Sequence, residues 1–256
     1  MPNSPFPAAI TIEGLATDYA AGEWIAPHVH DAHQIIHVDA GVLRVVSGNH
    51  SWFVLPGRAI WMPAGRVHAI RFQTRTQMRT VYIRGAAPAF PDHCAVWSVS
   101  PLMREILIRF AKSPDPKGRE HLAALLFLEI GSVTTLPFHL PLPGDSRLRS
   151  LTDAVSTDPA NAQLLKDWAR TLGMSERNLI RKFNAETGMT FRQWRRQARL
   201  LGALERLAAG KSVTTVAFEV GYESVSAFVA AFREAFGEPP KRYVLHTPLL
   251  RGERFC

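Results

Sequence analysis

Two periods divide this chain. Between about Ile10 and Ile83, apolar and polar residues alternate or come in short runs cut by Gly, Pro, Asn and Asp. The runs are Gln34 to Val38, Leu43 to Val46, Ser51 to Leu55, Ala59 to Met62, His68 to Phe72 and Met78 to Ile83. Side chains alternate across a strand, so such runs with turn residues between them predict an antiparallel sandwich or barrel. From Pro101 the period lengthens. Leu102, Met103, Ile106, Leu107 and Phe110 form a helical stripe over Pro101 to Lys112. Leu122, Leu125, Leu126, Glu129, Ile130 and Val133 form another over Arg119 to Val133, with one charged interruption. Both helices are expected to pack on the sheet, with a subunit contact as the alternative. The proline-rich run from Leu136 to Asp145 reads as a linker.

Beyond it one pattern is written twice. The first copy starts at Leu164, turns at Gly173 and continues Ser175-Glu-Arg-Asn-Leu179-Ile-Arg-Lys-Phe183 to Gly188. The second starts at Val213, turns at Gly221 and continues Ser224-Val-Ser-Ala-Phe228-Val-Ala-Ala-Phe232 to Gly237. Ser175 aligns with Ser224, Leu179 with Phe228, Phe183 with Phe232 and Gly188 with Gly237, at one offset. Each copy therefore predicts a short helix, a glycine turn and a second helix opened by a serine cap. The chain divides into a β-barrel over 1–100, packing or dimerisation helices over 101–135, a linker over 136–147 and an all-α domain over 148–246, with helix-turn-helix motifs at 164–184 and 213–233.

Helical geometry gives each second helix two faces. At about 100° per residue, Leu179 and Phe183 share a buried stripe, while Arg177, Arg181 and Asn184 fall on the other side. A cationic polar face on such a scaffold fits the major groove, where arginine pairs two donors with guanine. The equivalent outward positions of the second copy are Ser226, Ala230 and Arg233, with Val225 and Val229 on the flank, so the second copy is expected to read bases weakly. Between the copies, Phe191 to Leu207 forms a helical rod of roughly 25 Å carrying Arg192, Arg195, Arg196 and Arg199, of which Arg195 and Arg196 are further candidate DNA contacts. That length could set the two reading helices about one DNA turn apart.

Charge agrees with this division. Through Gly144, 12 Lys and Arg face 10 Asp and Glu, a balance of +2; from Asp145 onward 18 face 12, or +6. The excess sits with the duplicated motif, where phosphates would be neutralised. Cys94 and Cys256 are the only cysteines and lack metal-like spacing, so no disulfide framework is expected. No Lys or Arg precedes Arg44, and no long uncharged apolar run occurs. The expectation is a cytoplasmic protein without signal peptide or membrane span.

A second group of candidates lies in the β region. His28, His30 and Gln34 share strand parity. If Pro63 and Gly65 make a turn that brings His68 opposite, three imidazoles and an amide converge, a set able to hold one divalent transition ion such as Zn, Ni, Fe or Mn. The alternative is that these histidines line an organic ligand pocket or satisfy one another.

Both halves resemble known families. The duplicated motif resembles the AraC/XylS family of bacterial transcription regulators, through Gly173 to Gly188, Gly221 to Gly237, and Pro239-Pro-Lys-Arg-Tyr243. The N-terminal half is similar to cupins, whose two motifs are matched by Gly22, His28, His30 and Gly41 and by Gly57, Pro63, Gly65 and His68. It departs at Gln34, where metal-binding cupins usually have glutamate, and at Phe72, where the second motif usually ends in asparagine. The resemblance implies a regulator, activator or repressor, whose cupin-like domain senses a small molecule or metal ion. Its partners would be double-stranded promoter DNA, a second copy of the chain and RNA polymerase. Base contact then falls by motif on Arg177, Ile180 and Arg181, and on Ser226, Val229 and Ala230. The competing class is a metal-dependent cupin enzyme, dioxygenase-like, with an accessory helical domain.

Overall fold

The computed structural model describes residues 10–85, 91–112, 115–136 and 138–246. It resolves into two compact units: Met1–Gly48 with Trp52–Phe138, and Asn49–Ser51 with His139–Cys256. Cys256 lies outside the described residues.

The N-terminal unit is built from strands β1 (Thr11–Tyr19), β2 (Trp24–His28), β3 (His33–Ala40), β4 (Leu43–Ser47), β5 (His50–Val54, of which the last three residues belong to this unit), β6 (Arg58–Met62), β7 (His68–Phe72), β8 (Thr76–Arg84) and β9 (Ala95–Ser98), then helices α1 (Pro101–Ala111) and α2 (Pro116–Ile130), and strand β10 (Thr135–Leu136). Six strands make one sheet in the order β1-β8-β3-β6-β9-β10. In the second, β5-β4-β7-β2 run side by side. The expected closed barrel is therefore corrected: among the described residues no ladder joins the two sheets.

Strand alternation sorts the larger sheet into two faces. Ile35, Ala59, Trp61, Val81, Ile83, Ala95 and Trp97 pack with Met103, Ile106, Leu107 and Phe110 of α1 and with Ala123, Leu126 and Ile130 of α2. The alternate residues, among them Gln34, Ile36, Thr80 and Tyr82, lie on the opposite face, toward the second sheet. The expected helical stripes are shifted in part. Leu102 and Leu125 of the expected stripes are exposed, as is Leu128 outside them, and Ala123 takes a buried place that its small side chain gave no reason to assign.

Helix α1 sits unusually close to β1. A Cβ at Gly14 would stand 2.3 Å from the carbonyl carbon of Phe110, so only glycine lets the strand and helix backbones meet there. On β3, Asp39 is buried between two arginines and a histidine. Arg104 of α1 reaches its carboxylate at 2.9 Å, Arg79 of β8 at 3.2 Å and His37 at 3.5 Å. Burial opposes its charge, yet His37, Arg104 and Arg79 hold its carboxyl below the ordinary value.

The C-terminal unit holds β11 (His139–Pro141) and helices α3 (Ser146–Thr157), α4 (Leu165–Thr171), α5 (Glu176–Thr187), α6 (Phe191–Ala208), α7 (Val213–Glu219), α8 (Val225–Phe236) and α9 (Pro240–His246). Part of the run read as linker is tied down within this unit. Leu140 and Leu142 are buried, Trp194 Nε1 donates to Pro141 O at 2.6 Å, and Arg149 donates to Pro143 O at 3.3 Å. Pro137 lies outside the described residues.

Candidate DNA interface and metal centre

The two helix-turn-helix copies, α4–α5 and α7–α8, are assembled by the same bonds. In the turns, Met174 N donates to Ala169 O at 3.0 Å and Tyr222 N to Ala217 O at 2.9 Å. Gly221 is in the left-handed region at φ +82°, and a Cβ there would stand 2.9 Å from the Ala160 backbone. Ser175 caps α5 by accepting from Asn178 N, and Ser224 caps α8 by accepting from Ala227 N. Leu179 and Phe183 are buried in the first copy, Phe228 and Phe232 in the second. Their aromatic neighbours are Phe191 and Trp194 of α6 for Phe183, and Tyr243 of α9 for Phe232.

With those faces buried, the others are free. Arg177, Ile180, Arg181 and Asn184 of α5 are all exposed, Ile180 at 42%. Arg181 donates to the Asn178 carboxamide at 3.0 Å, a neighbour that steadies the guanidinium without burying it. On α8, Ser226, Ala230 and Arg233 are exposed and Val229 is half-buried. The outward residues of the first copy are polar and cationic apart from Ile180, whereas those of the second are small, with Arg233 the one cation among them.

Two arginines of α6 that the sequence offered as DNA contacts have work inside the unit. Arg195 donates to Gln163 O at 2.7 Å and lies over the Phe191 ring, 4.5 Å from its centre. Burial, and then the Arg199 charge, draw its pKa below the ordinary guanidinium value. Arg196 forms a two-pronged pair with Glu234 of α8, at 3.2 and 2.5 Å. Both therefore brace α6 against its neighbours. Sequence spacing missed this because the acceptors lie outside α6, Gln163 O in the segment before α4 and Glu234 on α8.

In the N-terminal unit, His28, His30 and His68 come together, with one possible ligand nitrogen from each lying within 4.8 Å of the others. The route differs from the one that parity suggested. His28 ends β2 in the second sheet, whereas Gln34 is on β3 of the first, so no single strand carries both. His28 instead stands in register with His68 across β2 and β7, after a bulge following Ile25.

The donor chemistry fits an ion. His28 Nδ1 bonds to Ala26 O at 2.8 Å and His68 Nδ1 to Arg66 O at 3.0 Å. A carbonyl only accepts, so each Nδ1 carries a proton, and in the neutral ring the lone pair on Nε2 is the one open to a ligand bond. The Nε2 atoms of His30 and His68 and Oε1 of Gln34 are buried with no hydrogen-bond partner. Burial, and then the neighbouring His28, lower the pKa of His30; burial lowers that of His68 against the opposing Arg66 carbonyl. A lowered imidazole pKa keeps the ring in its neutral, metal-binding form. Tetrahedral zinc would hold its nitrogens roughly 3.4 Å apart, so small ring rotations are needed to close the set.

Tyr82 completes this corner and was absent from the sequence-level candidates. Its hydroxyl accepts from Gln34 Nε2 at 3.3 Å, and its ring centre lies 5.1 Å from that of His30. Burial raises its pKa. Only the β3–β8 pairing, which sets Gln34 opposite Tyr82, reveals it.

Comparison with known proteins adds the following. A family model described as an AraC-like ligand binding domain matches residues 10–127, and one described as a helix-turn-helix domain matches residues 168–245. The HTH-type transcriptional regulator NimR of Escherichia coli (strain K12) is 32% identical over 221 residues, covering 85% of this chain and 81% of that protein. The HTH-type transcriptional regulator RipA of Corynebacterium glutamicum is 33% identical over 103 residues, 40% of this chain and 31% of that one. A solved structure of ToxT from Vibrio cholerae with bound unsaturated fatty acid aligns over 98% of this chain and 99% of that chain, at a TM-score of 0.42 and 13% identity.

Proposed function

The chain belongs to the AraC family of transcription regulators, with a helix-turn-helix DNA-binding domain and a ligand-binding domain, and on that premise we propose how each part works. Helix α5 is the principal base reader, with Arg177, Ile180, Arg181 and Asn184 at the base edges. Helix α8 adds weaker contacts from Ser226, Val229, Ala230 and Arg233. The observation that carries this reading is the exposure of all four α5 residues beside the fully buried Leu179 and Phe183. Helix α6, about 27 Å long for its 18 residues, spaces the two readers along one side of the duplex.

In the N-terminal unit, His28, His30 and His68, with Gln34 as a fourth donor, hold one divalent transition ion that takes part in sensing a small molecule. The buried, partnerless His30 and His68 Nε2 atoms support this. The reading of the chain as a regulator without catalytic activity is supported by its relatives, which carry the names of transcription regulators. The protein acts in the cytoplasm on promoter DNA, as a homodimer and in contact with RNA polymerase. The exposed Leu102 on α1 and Leu125 and Leu128 on α2 support the self-contact. No helix among the described residues is long and apolar enough to cross a membrane.

The test is fluorescence anisotropy of the full chain with fragments of its own promoter region at several salt concentrations. Sequence-selective binding that weakens steeply with salt is expected. Equal affinity for unrelated fragments would remove the assignment of α5. Metal content of the purified chain, compared with that of His30→Ala, tests the ion separately.

A further inference from the structure

The layer between the two sheets of the N-terminal unit holds polar atoms that nothing satisfies. Gln34, Ile36, Thr80 and Tyr82 face it from the larger sheet, and His68, Ile70 and Phe72 alternate on β7 of the other. Gln34 Oε1, Thr80 Oγ1, His30 Nε2 and His68 Nε2 are each buried without a hydrogen-bond partner. Native interiors seldom leave such atoms bare, and several in one layer mark a place where something binds.

Charge selects what binds. Resting on the metal reading above, an ion held by three imidazoles and one amide meets only neutral donors and keeps its full double charge. The exposed acids Asp31 and Glu13 are each paired with Arg84, whose charge opposes theirs. His68 is buried and His28 and His30 are half-buried, so a double charge set among neutral donors is only partly screened by solvent, and an anion in an open coordination position offsets it. Tyr82 offers the second contact. Its hydroxyl oxygen already accepts from Gln34 Nε2, which leaves its own proton to donate.

We propose that the effector is a small oxyanion of the carboxylate class, binding the histidine-held ion through one oxygen and accepting a hydrogen bond from Tyr82 with the other. Thr80 stands two residues from Tyr82 on β8, about 7 Å along the strand. It bonds a polar group on the body of the same molecule. Gln34 acts as a positioning residue, since its amide both orients the Tyr82 hydroxyl and keeps the donor set neutral.

The test uses the full chain loaded with cobalt(II), whose visible spectrum reports the coordination shell, titrated with acetate and with its neutral isostere acetamide. Acetate should shift the spectrum to saturation, and acetamide should leave it unchanged. Tyr82→Phe should keep its cobalt and bind acetate about tenfold more weakly, as loss of one hydrogen bond to a charged group implies. Gln34→Glu should cross over, holding cobalt about tenfold more tightly or better while binding acetate more weakly, because the carboxylate supplies the missing charge. Circular dichroism melts of both variants separate these effects from unfolding. Equal responses to acetate and acetamide, or wild-type acetate affinity in both variants, would overturn the anion. A folded wild-type chain that takes up no cobalt would overturn the metal reading and this inference with it, whereas normal uptake without an acetate response sinks the inference alone.

Discussion

Helices α5 and α8 have the same length, the same serine cap and the same left-handed glycine at the C-terminus, yet they offer different surfaces to a partner. On the inside, Leu179 and Phe183 are matched by Phe228 and Phe232, all fully buried. On the outside, Arg177, Arg181 and Asn184 are matched by Ser226, Ala230 and Arg233. Positions that build the scaffold answer to packing and hydrogen bonding, which are the same in both copies. Positions that face outward answer only to what they touch, so they are free to differ. The comparison separates residues that make the motif from residues that use it.

The largest expected effect should not distinguish the copies at all. Phe183→Ala and Phe232→Ala each empty a buried aromatic site and should cost about 3–5 kcal/mol of stability, read from the melting of the full chain by calorimetry. A negligible loss at either position would break the equivalence of the two cores. Next comes the asymmetry. Arg181→Ala should weaken binding to a cognate site by about 1–3 kcal/mol and relax specificity at one base pair, measured by anisotropy with single-base variants of the site. A uniform loss across all sequences would recast Arg181 as a phosphate contact. The caps should again behave alike: Ser175→Ala and Ser224→Ala should each lower stability by about 1 kcal/mol. Smallest is Ser226→Ala, where losing one neutral hydrogen bond to DNA should cost roughly 0.5 kcal/mol of affinity. A loss as large as that of Arg181→Ala would show that α8 reads bases as strongly as α5.

Much of this was legible because local rules were strong. The duplicated motif was found from serine caps, turn glycines and a repeated aromatic stripe, all of which act within one or two helical turns. Strands β3, β4, β5, β6, β7 and β8 followed from alternation and turn residues. Strand β1 escaped because it carries Gly14 and an exposed Leu15, and β9 because it has four residues. The convergence of His28, His30 and His68 was anticipated, though by a false route: the parity argument ran one strand through a segment where the chain changes sheets. Tyr82 and the internal bonds of Arg195 and Arg196 depend on partners tens of residues away. No spacing rule reaches that far.

The contact at Gly14 makes the helical layer separable from the rest of its unit. A methyl group at that position would act as a wedge between β1 and the end of α1, since the atoms it meets belong to backbone and cannot turn aside. It would pry Arg104 from Asp39, whereas His28, His30, His68, Gln34 and Tyr82 lie outside the helix-facing set. One added carbon could thus unseat the surface carrying Leu102, Leu125 and Leu128 while cobalt uptake goes on as before, and a parallel loss of uptake would show that the two sides of the sheet are not independent.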